Sequence, residues 1–272
     1  MMYRIEKVLN HNTVMAIHQD DHKEVLIMGK GVGFGRKVAE RIEVRPEDRL
    51  YSLQKYKERG GAKEIVKSIA PEFLEVTNAV LDEAEKIFGK IDRMVLFPLA
   101  DHIAFAVKRI QNHEQISNPL TEDIRVLFHM EFKAAESIRP LLQKQFGIDI
   151  EDDEVGYVAL HIHSAIEDEK VSQAMQMARS VRECISMVEE AIGKPIDIAS
   201  LSYNRLMNHV RYMVARAIHG EKLKMSLNDY MSVKFPGPYM TAEKICRKME
   251  KSLKLPIPDI EIGNLAMHLE RM

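Results

Sequence analysis

Glu154-Val-Gly-Tyr-Val-Ala-Leu-His-Ile162 returns 107 residues later as Glu261-Ile-Gly-Asn-Leu-Ala-Met-His-Leu269. Glutamate, glycine, alanine and histidine coincide, apolar positions stay apolar, and only Tyr157 against Asn264 changes character. The same shift of 107 carries Asp101-His102-Ile-Ala-Phe-Ala-Val-Lys-Arg109 onto Asn208-His209-Val-Arg-Tyr-Met-Val-Ala-Arg216. Between these stretches it aligns Phe128 with Phe235, Phe132 with Tyr239, Ala135 with Ala242 and Ile138 with Ile245. Self-similarity at so long a fixed spacing marks a whole domain used twice rather than a solenoid repeat. Each copy holds two histidines 59 residues apart, His102 with His161 and His209 with His268.

Around those histidines the apolar residues recur at helical spacing. Leu99, Ile103, Ala106, Val107 and Ile110 form one stripe that His102 borders, the i, i+3, i+4, i+7 pattern of a buried helix face. Lys63–Phe88 and Ala174–Ile192 read as helices stopped by Gly89 and Gly193, and Thr121–Gln145 reads as one long amphipathic helix. The acidic run Asp149–Glu154 suits the N-terminus of the helix that carries His161. The duplicated region is expected to be two all-α bundles, residues 62–168 and 172–272.

Residues 1–53 differ. Ile5–Leu9, Thr13–Ile17, Glu24–Met28 and Arg49–Leu53 are short runs rich in Val, Ile, Leu and Tyr, separated by turn residues. They predict a small four-stranded antiparallel sheet over residues 1–55, followed by a polar linker from Gln54 to Gly61. About 55 residues make a marginal core, for which a dimer sharing that core is a natural remedy. Within this region Gly29-Lys-Gly-Val-Gly-Phe-Gly-Arg-Lys37 is no nucleotide motif, because Phe34 and Arg36 stand where GxGxxG needs glycine. Two readings remain open. One is a tight twisted hairpin; the other is a surface that a nucleic-acid backbone approaches, with an aromatic and Lys30, Arg36 and Lys37 around it.

A length of 272 residues accommodates two or three domains, and 46% hydrophobic with 29% charged residues is ordinary globular composition. No apolar run reaches the roughly 18 residues of a membrane span. The start Met-Met-Tyr-Arg-Ile-Glu lacks a signal peptide's apolar core. A cytoplasmic protein with no membrane insertion is expected. The net charge of −2 divides unevenly: residues 1–55 carry 10 Lys and Arg against 8 Asp and Glu. Cys184 and Cys246 lie in no CxxC and read as buried apolar residues, and no cofactor is implied.

A histidine on an amphipathic helix is ordinarily a satisfied core or boundary residue. Descent alone could preserve two per copy. The setting favours a role: Asp101 adjoins His102, while Glu154 and Tyr157 precede His161 by two turns and one, as partners able to fix a tautomer. Metal binding finds little support, since His161 and His163 are two apart and do not face each other on a helix, and HExxH is absent. Phosphorylation of a ring nitrogen would place a dianion at an apolar edge and demand cations, and Arg109 and Arg216 follow His102 and His209 by seven residues.

These residues resemble the BglG/SacY-type bacterial transcriptional antiterminators, which join an RNA-binding coantiterminator domain to two phosphotransferase-system regulation domains (PRDs). Lys7-Val-Leu-Asn10-His-Asn12 with Met28-Gly29-Lys30-Gly-Val-Gly-Phe34-Gly-Arg36-Lys37 is similar to the family's RNA-binding signature, and the four histidine stretches are similar to its histidine motifs. The glycine run and Ala-Leu-His-Ile-His-Ser-Ala resemble the glucose-responsive branch most closely.

The resemblance implies a homodimer that binds an mRNA hairpin overlapping a terminator and permits read-through into sugar-uptake genes. It implies Asn10, Asn12, Gly29, Lys30, Phe34 and Arg36 as RNA contacts. His102, His161, His209 and His268 become sites of phosphorylation by the enzyme II sugar permease or the phosphocarrier HPr. Lys30 stands where several members have arginine, and Asn264 thins the motif at His268. An alternative is a PRD-containing DNA-binding transcription activator, which needs a helix-turn-helix at the N-terminus. A phosphohistidine-carrying enzyme is a third class, but no sugar-site constellation accompanies the histidines, so a non-enzyme is expected.

Overall fold

A computed structural model describes residues 2–54, 61–114, 116–167, 169–197, 200–221 and 223–272. The predicted linker falls largely on residues 55–60, outside the described residues. Five strands open the chain: β1 (Met2–Asn10), β2 (Thr13–His18), β3 (Glu24–Met28), β4 (Arg41–Glu43) and β5 (Arg49–Ser52). They form one antiparallel sheet ordered β4-β1-β2-β3-β5. The expected count of four is corrected to five. β4 spans three residues close before Pro46, too short for an alternating pattern to announce, and it pairs with the start of β1.

Tyr3, Ile5, Val14, Ala16, Val25, Ile27, Val32 and Ile42 form a core on one side of the sheet. The other side is buried as well, so Thr13 to Ala16 are all inside. There Tyr51 meets Phe97 edge to face, with ring centroids 6.0 Å apart. Helical residues of the same chain therefore cover the second face. Residues 2–52 contain no helix, which removes the helix-turn-helix alternative.

The helices that follow are α1 (Gly61–Ser68), α2 (Pro71–Phe88), α3 (Leu96–Gln111), α4 (Thr121–Leu127), α5 (His129–Ala135), α6 (Ile138–Phe146) and α7 (Asp152–Glu167). The second copy supplies α8 (Val171–Ile192), α9 (Leu201–His219), α10 (Asn228–Lys234), α11 (Pro236–Leu253) and α12 (Ile260–Leu269). Gly89 and Gly193 end α2 and α8 at positive φ, as their spacing predicts.

Two predicted helices are divided. Lys63–Phe88 breaks where Pro71 starts α2. Thr121–Gln145 breaks at Phe128 and again before Ile138. Phe128 and Phe235 take the same non-helical conformation 107 residues apart, with φ −118° and −135°. Pro236 follows Phe235, whereas His129 follows Phe128, so periodicity alone runs through the break at Phe128.

The chain gathers into two compact units, residues 1–118 with 130–169 and residues 119–129 with 170–272. Within the second, α4 packs against α8 and α9, whereas its repeat counterpart α10 packs against α11 and α12.

Candidate functional site

α3 and α7 bring the first histidine pair ring to ring: the centroids of His102 and His161 are 5.5 Å apart. His102 also lies 5.5 Å from the Tyr157 ring. Its Nε2 is 3.4 Å from Glu154 Oε2, outside good hydrogen-bond geometry. The other Glu154 oxygen accepts from Arg109 Nη2 in a buried ion pair. Sequence reasoning gave Glu154 to His161 and Asp101 to His102. The structure instead turns Glu154 toward His102 and leaves Asp101 exposed. Burial, and then the neighbouring His102, push His161 down to about 3, so its ring is neutral at physiological pH. Its Nδ1 has no hydrogen-bond partner among the described residues.

α9 and α12 repeat the arrangement. The rings of His209 and His268 stack with centroids 4.7 Å apart. Arg216 grips Glu261 with two nitrogens, Nε to Oε1 at 2.7 Å and Nη2 to Oε2 at 3.0 Å, the bidentate form that the planar guanidinium favours. Burial pushes His209 down to about 3, with His268 and Arg216 adding to it; His268 is lowered too, chiefly by burial.

Each site is thus two imidazoles in ring contact beside an arginine–glutamate pair whose members stand 45 residues apart in both copies. The arginines proposed as cations for a phosphate are already neutralised. That pairing was missed, although both residues coincide under the shift of 107 while Asp101 meets Asn208 and does not.

At the sheet, Asn10, Asn12, Gly29, Lys30, Phe34 and Arg36 lie on two adjoining turns. A bulge between Val8 and Asn10 precedes the two-residue turn His11-Asn12. Asn12 N donates to Asn10 Oδ1 at 2.9 Å, an Asx turn. Gly29 N and Gly31 N donate to Asn12 O and Oδ1 at 2.9 and 2.8 Å. Phe34 is 68% exposed, its ring edge-on to His11 with centroids 5.2 Å apart. Arg36 is exposed, 3.7 Å from Glu40.

The glycines sit in turns, not in a strand. A Cβ on Gly29 would stand 1.8 Å from Asp48 Oδ1, and one on Gly33 would stand 2.2 Å from Asn10 O. Gly31 and Gly35 have φ of +72° and +67°, a region that favours glycine. Every second residue is therefore glycine for a packing or backbone reason. The surface they leave carries Lys30, Phe34, Arg36 and Lys37. Arg45, not singled out from sequence, locks this turn by donating to Lys30 O and to Asp48 Oδ1, each at 2.8 Å.

Elsewhere His163 Nδ1 meets Glu131 Oε1 at 2.9 Å, apart from the His161 site. Cys184 and Cys246 are buried free thiols, both raised by burial. Among the described residues no cluster of His, Cys, Asp or Glu could hold a metal, and no helix is long and apolar enough to cross a membrane.

Comparison with known proteins bears on the domains that carry these sites. Residues 3–60 match the CAT RNA binding domain family, and residues 74–165 and 182–272 each match the PRD domain family. The "GlcA/glcB genes antiterminator" of Staphylococcus carnosus (strain TM300) is 28% identical over 273 residues, covering 98% of this chain and 94% of its own. The "PtsGHI operon antiterminator" of Bacillus subtilis (strain 168) is 28% identical, covering 99% and 97%. A solved structure, "Crystal structure of GlcT CAT-PRDI", superposes with a TM-score of 0.53 at 30% identity, covering 61% of this chain and 99% of that one.

Proposed function

The chain belongs to the PRD-containing antiterminators with a CAT RNA binding domain, and on that premise we propose which of its residues read the RNA and which take the phosphate. It is an RNA-binding transcriptional antiterminator of the glucose-type branch, regulated through the phosphotransferase system. In our reading it works as a cytoplasmic homodimer and catalyses no reaction of its own. It binds a hairpin overlapping a terminator and thereby permits read-through into sugar-uptake genes. Asn10, Asn12, Gly29, Lys30, Phe34 and Arg36 contact that hairpin. The exposed Phe34 ring suits stacking on an unpaired base, and Lys30 and Arg36 suit phosphate. His102, His161, His209 and His268 accept phosphate from HPr or from the enzyme II permease.

The observation that carries the regulatory reading is the repeated pair of contacting imidazoles beside a buried arginine–glutamate pair. A dianion on His102 Nε2 would sit within a few ångströms of the Glu154 carboxylate. Two unit charges 4 Å apart at an effective dielectric of 20 repel by about 4 kcal/mol, more than the local packing can absorb unnoticed. Either Arg109 leaves Glu154 for the phosphate or α3 parts from α7. Both outcomes convert a local charge into a change of helix packing, which is what a switch requires.

The test is binding of a stem–loop RNA to the full chain across a salt series. Log affinity should fall linearly with log salt. Phe34→Ala should weaken binding without altering that slope, and Arg36→Ala should reduce the slope by about 1. Affinity indifferent to salt and to both substitutions would refute the RNA reading.

A further inference from the structure

Helix α2 turns one polar face toward the asparagine turn of the sheet. Glu75, Asn78, Asp82 and Glu85 follow one another at spacings of three, four and three, and so share a side of the helix. Asn10 Nδ2 donates to Glu75 Oε1 at 2.8 Å, and Asn12 Nδ2 donates to Glu75 Oε2 at a long 3.5 Å. The carbonyl ends of both amides are already occupied, by Asn12 N and Gly31 N. Their outward donors therefore converge on one carboxylate. Further along the same face Arg49 Nη2 donates to Asp82 at 3.1 Å and Glu85 at 2.9 Å, and the Tyr51 hydroxyl donates to Asn78 at 2.6 Å. Asn12, Lys30 and Arg49 share a cleft with Glu75 and Asp82.

We propose that α2 is a built-in competitor of RNA: its carboxylate face stands in for phosphate oxygens on Asn10, Asn12 and Arg49, and must withdraw before a hairpin can seat. This rests on the RNA-face reading given above. An RNA backbone cannot share those donors with three carboxylates, because charge of the same sign would meet at hydrogen-bond distance. The arrangement also supplies a route from the histidines. α2 packs against α3, which carries His102, and Arg93 between them donates to Asp82 at 2.9 Å, Glu85 at 2.8 Å and the Tyr51 hydroxyl at 3.1 Å. Movement of α3 that drew Arg93 away would loosen α2 from the sheet.

The probe is a stem–loop RNA enriched on the wild-type full chain from a library with a randomised internal loop. Its affinity is measured by fluorescence anisotropy for the full chain and its variants. Removing hydrogen bonds to a charged acceptor that RNA must displace should tighten binding about tenfold in Glu75→Ala, and by less in Glu75→Gln, whose amide still accepts one bond. Glu72→Gln removes the same charge one turn away on α2, from a side chain that accepts neither asparagine bond, and should change affinity less than about twofold. Equal gains from Glu75→Ala and Glu72→Gln, or no gain from Glu75→Ala, would overturn the proposal. Asn12→Ala should weaken binding in both the wild-type and Glu75→Ala backgrounds. Unchanged affinity in both would refute the RNA-face reading instead, so the two failures are distinct. In RNA-free protein the side-chain amide resonances of Asn10 and Asn12 should shift in Glu75→Gln and stay in place in Glu72→Gln; unmoved resonances in Glu75→Gln would again overturn it.

Discussion

Replacing Arg109 by glutamine tests the buried pair on which the proposed switch depends. The Arg109 side chain is 17% exposed and that of Glu154 is 7% exposed, so the substitution strands a carboxylate in a nearly dry site beside His102. Breaking a buried pair by removing one partner costs 3–5 kcal/mol when both are fully enclosed. The residual exposure of Arg109 argues for the lower end, about 3 kcal/mol, or roughly 150-fold in an opening equilibrium. The loss should be local, since α3 and α7 need only part at this site. Hydrogen exchange read by mass spectrometry should show peptides of α7 losing protection by about two orders of magnitude while β2 and β3 keep theirs. Adding Glu154→Gln removes the stranded charge and should restore more than half of the loss. Exchange in α7 within threefold of wild type for Arg109→Gln, or no recovery in the double variant, would refute the reasoning.

His161 and His209, the two histidines pushed down furthest, make stability fall with acidity. Each binds a proton in the unfolded chain near pH 6.5 but resists it when folded down to about 3. Their contribution is therefore present above pH 6.5 and is lost as pH falls, by about 1.4 kcal/mol per histidine between pH 7.5 and 5.5. Urea midpoints at the two pH values should show the drop, and His161→Gln should shrink it; an equal drop in that variant would rule His161 out as the cause. Gly33→Ala, whose Cβ would meet Asn10 O at 2.2 Å, should destabilise the sheet by roughly 2 kcal/mol in thermal melts, and an unchanged melting temperature would contradict the close approach. His102→Asp or His161→Asp, which puts a carboxylate where phosphate would stand, should suppress read-through of a terminator reporter; unchanged read-through in both would argue against a regulatory first histidine unit.

The repeat made the helical units and the four histidines legible, because sequence identity at a shift of 107 survives wherever packing is repeated. The strands beside Asn10 and Asn12 were legible from alternation and turn residues. β4 was not, since Arg41–Glu43 is too short to carry a pattern. Helix periodicity also ran through Phe128, where the break depends on local backbone conformation with no proline to mark it.

The partners of charged residues were harder to read. Arg109 and Glu154 are 45 residues apart, and Asn10 and Glu75 are 65 apart, so nothing local joins them. From sequence the acidic face of α2 is indistinguishable from a solvated one. Only the fold shows that it meets the glycine-rich turns. The glycines that first invited a phosphate are each needed by Asp48, by the Asn10 carbonyl or by positive φ.

The most direct test of the whole account is to load the full chain with phosphate and weigh it before and after RNA binding. After incubation with HPr, with and without the permease domain, mass spectrometry under non-acidic conditions should place acid-labile phosphate among His102, His161, His209 and His268. The same sample should change its affinity for the hairpin. Phosphate found only on other residues, or hairpin affinity identical in the phosphorylated and unphosphorylated protein, would contradict it.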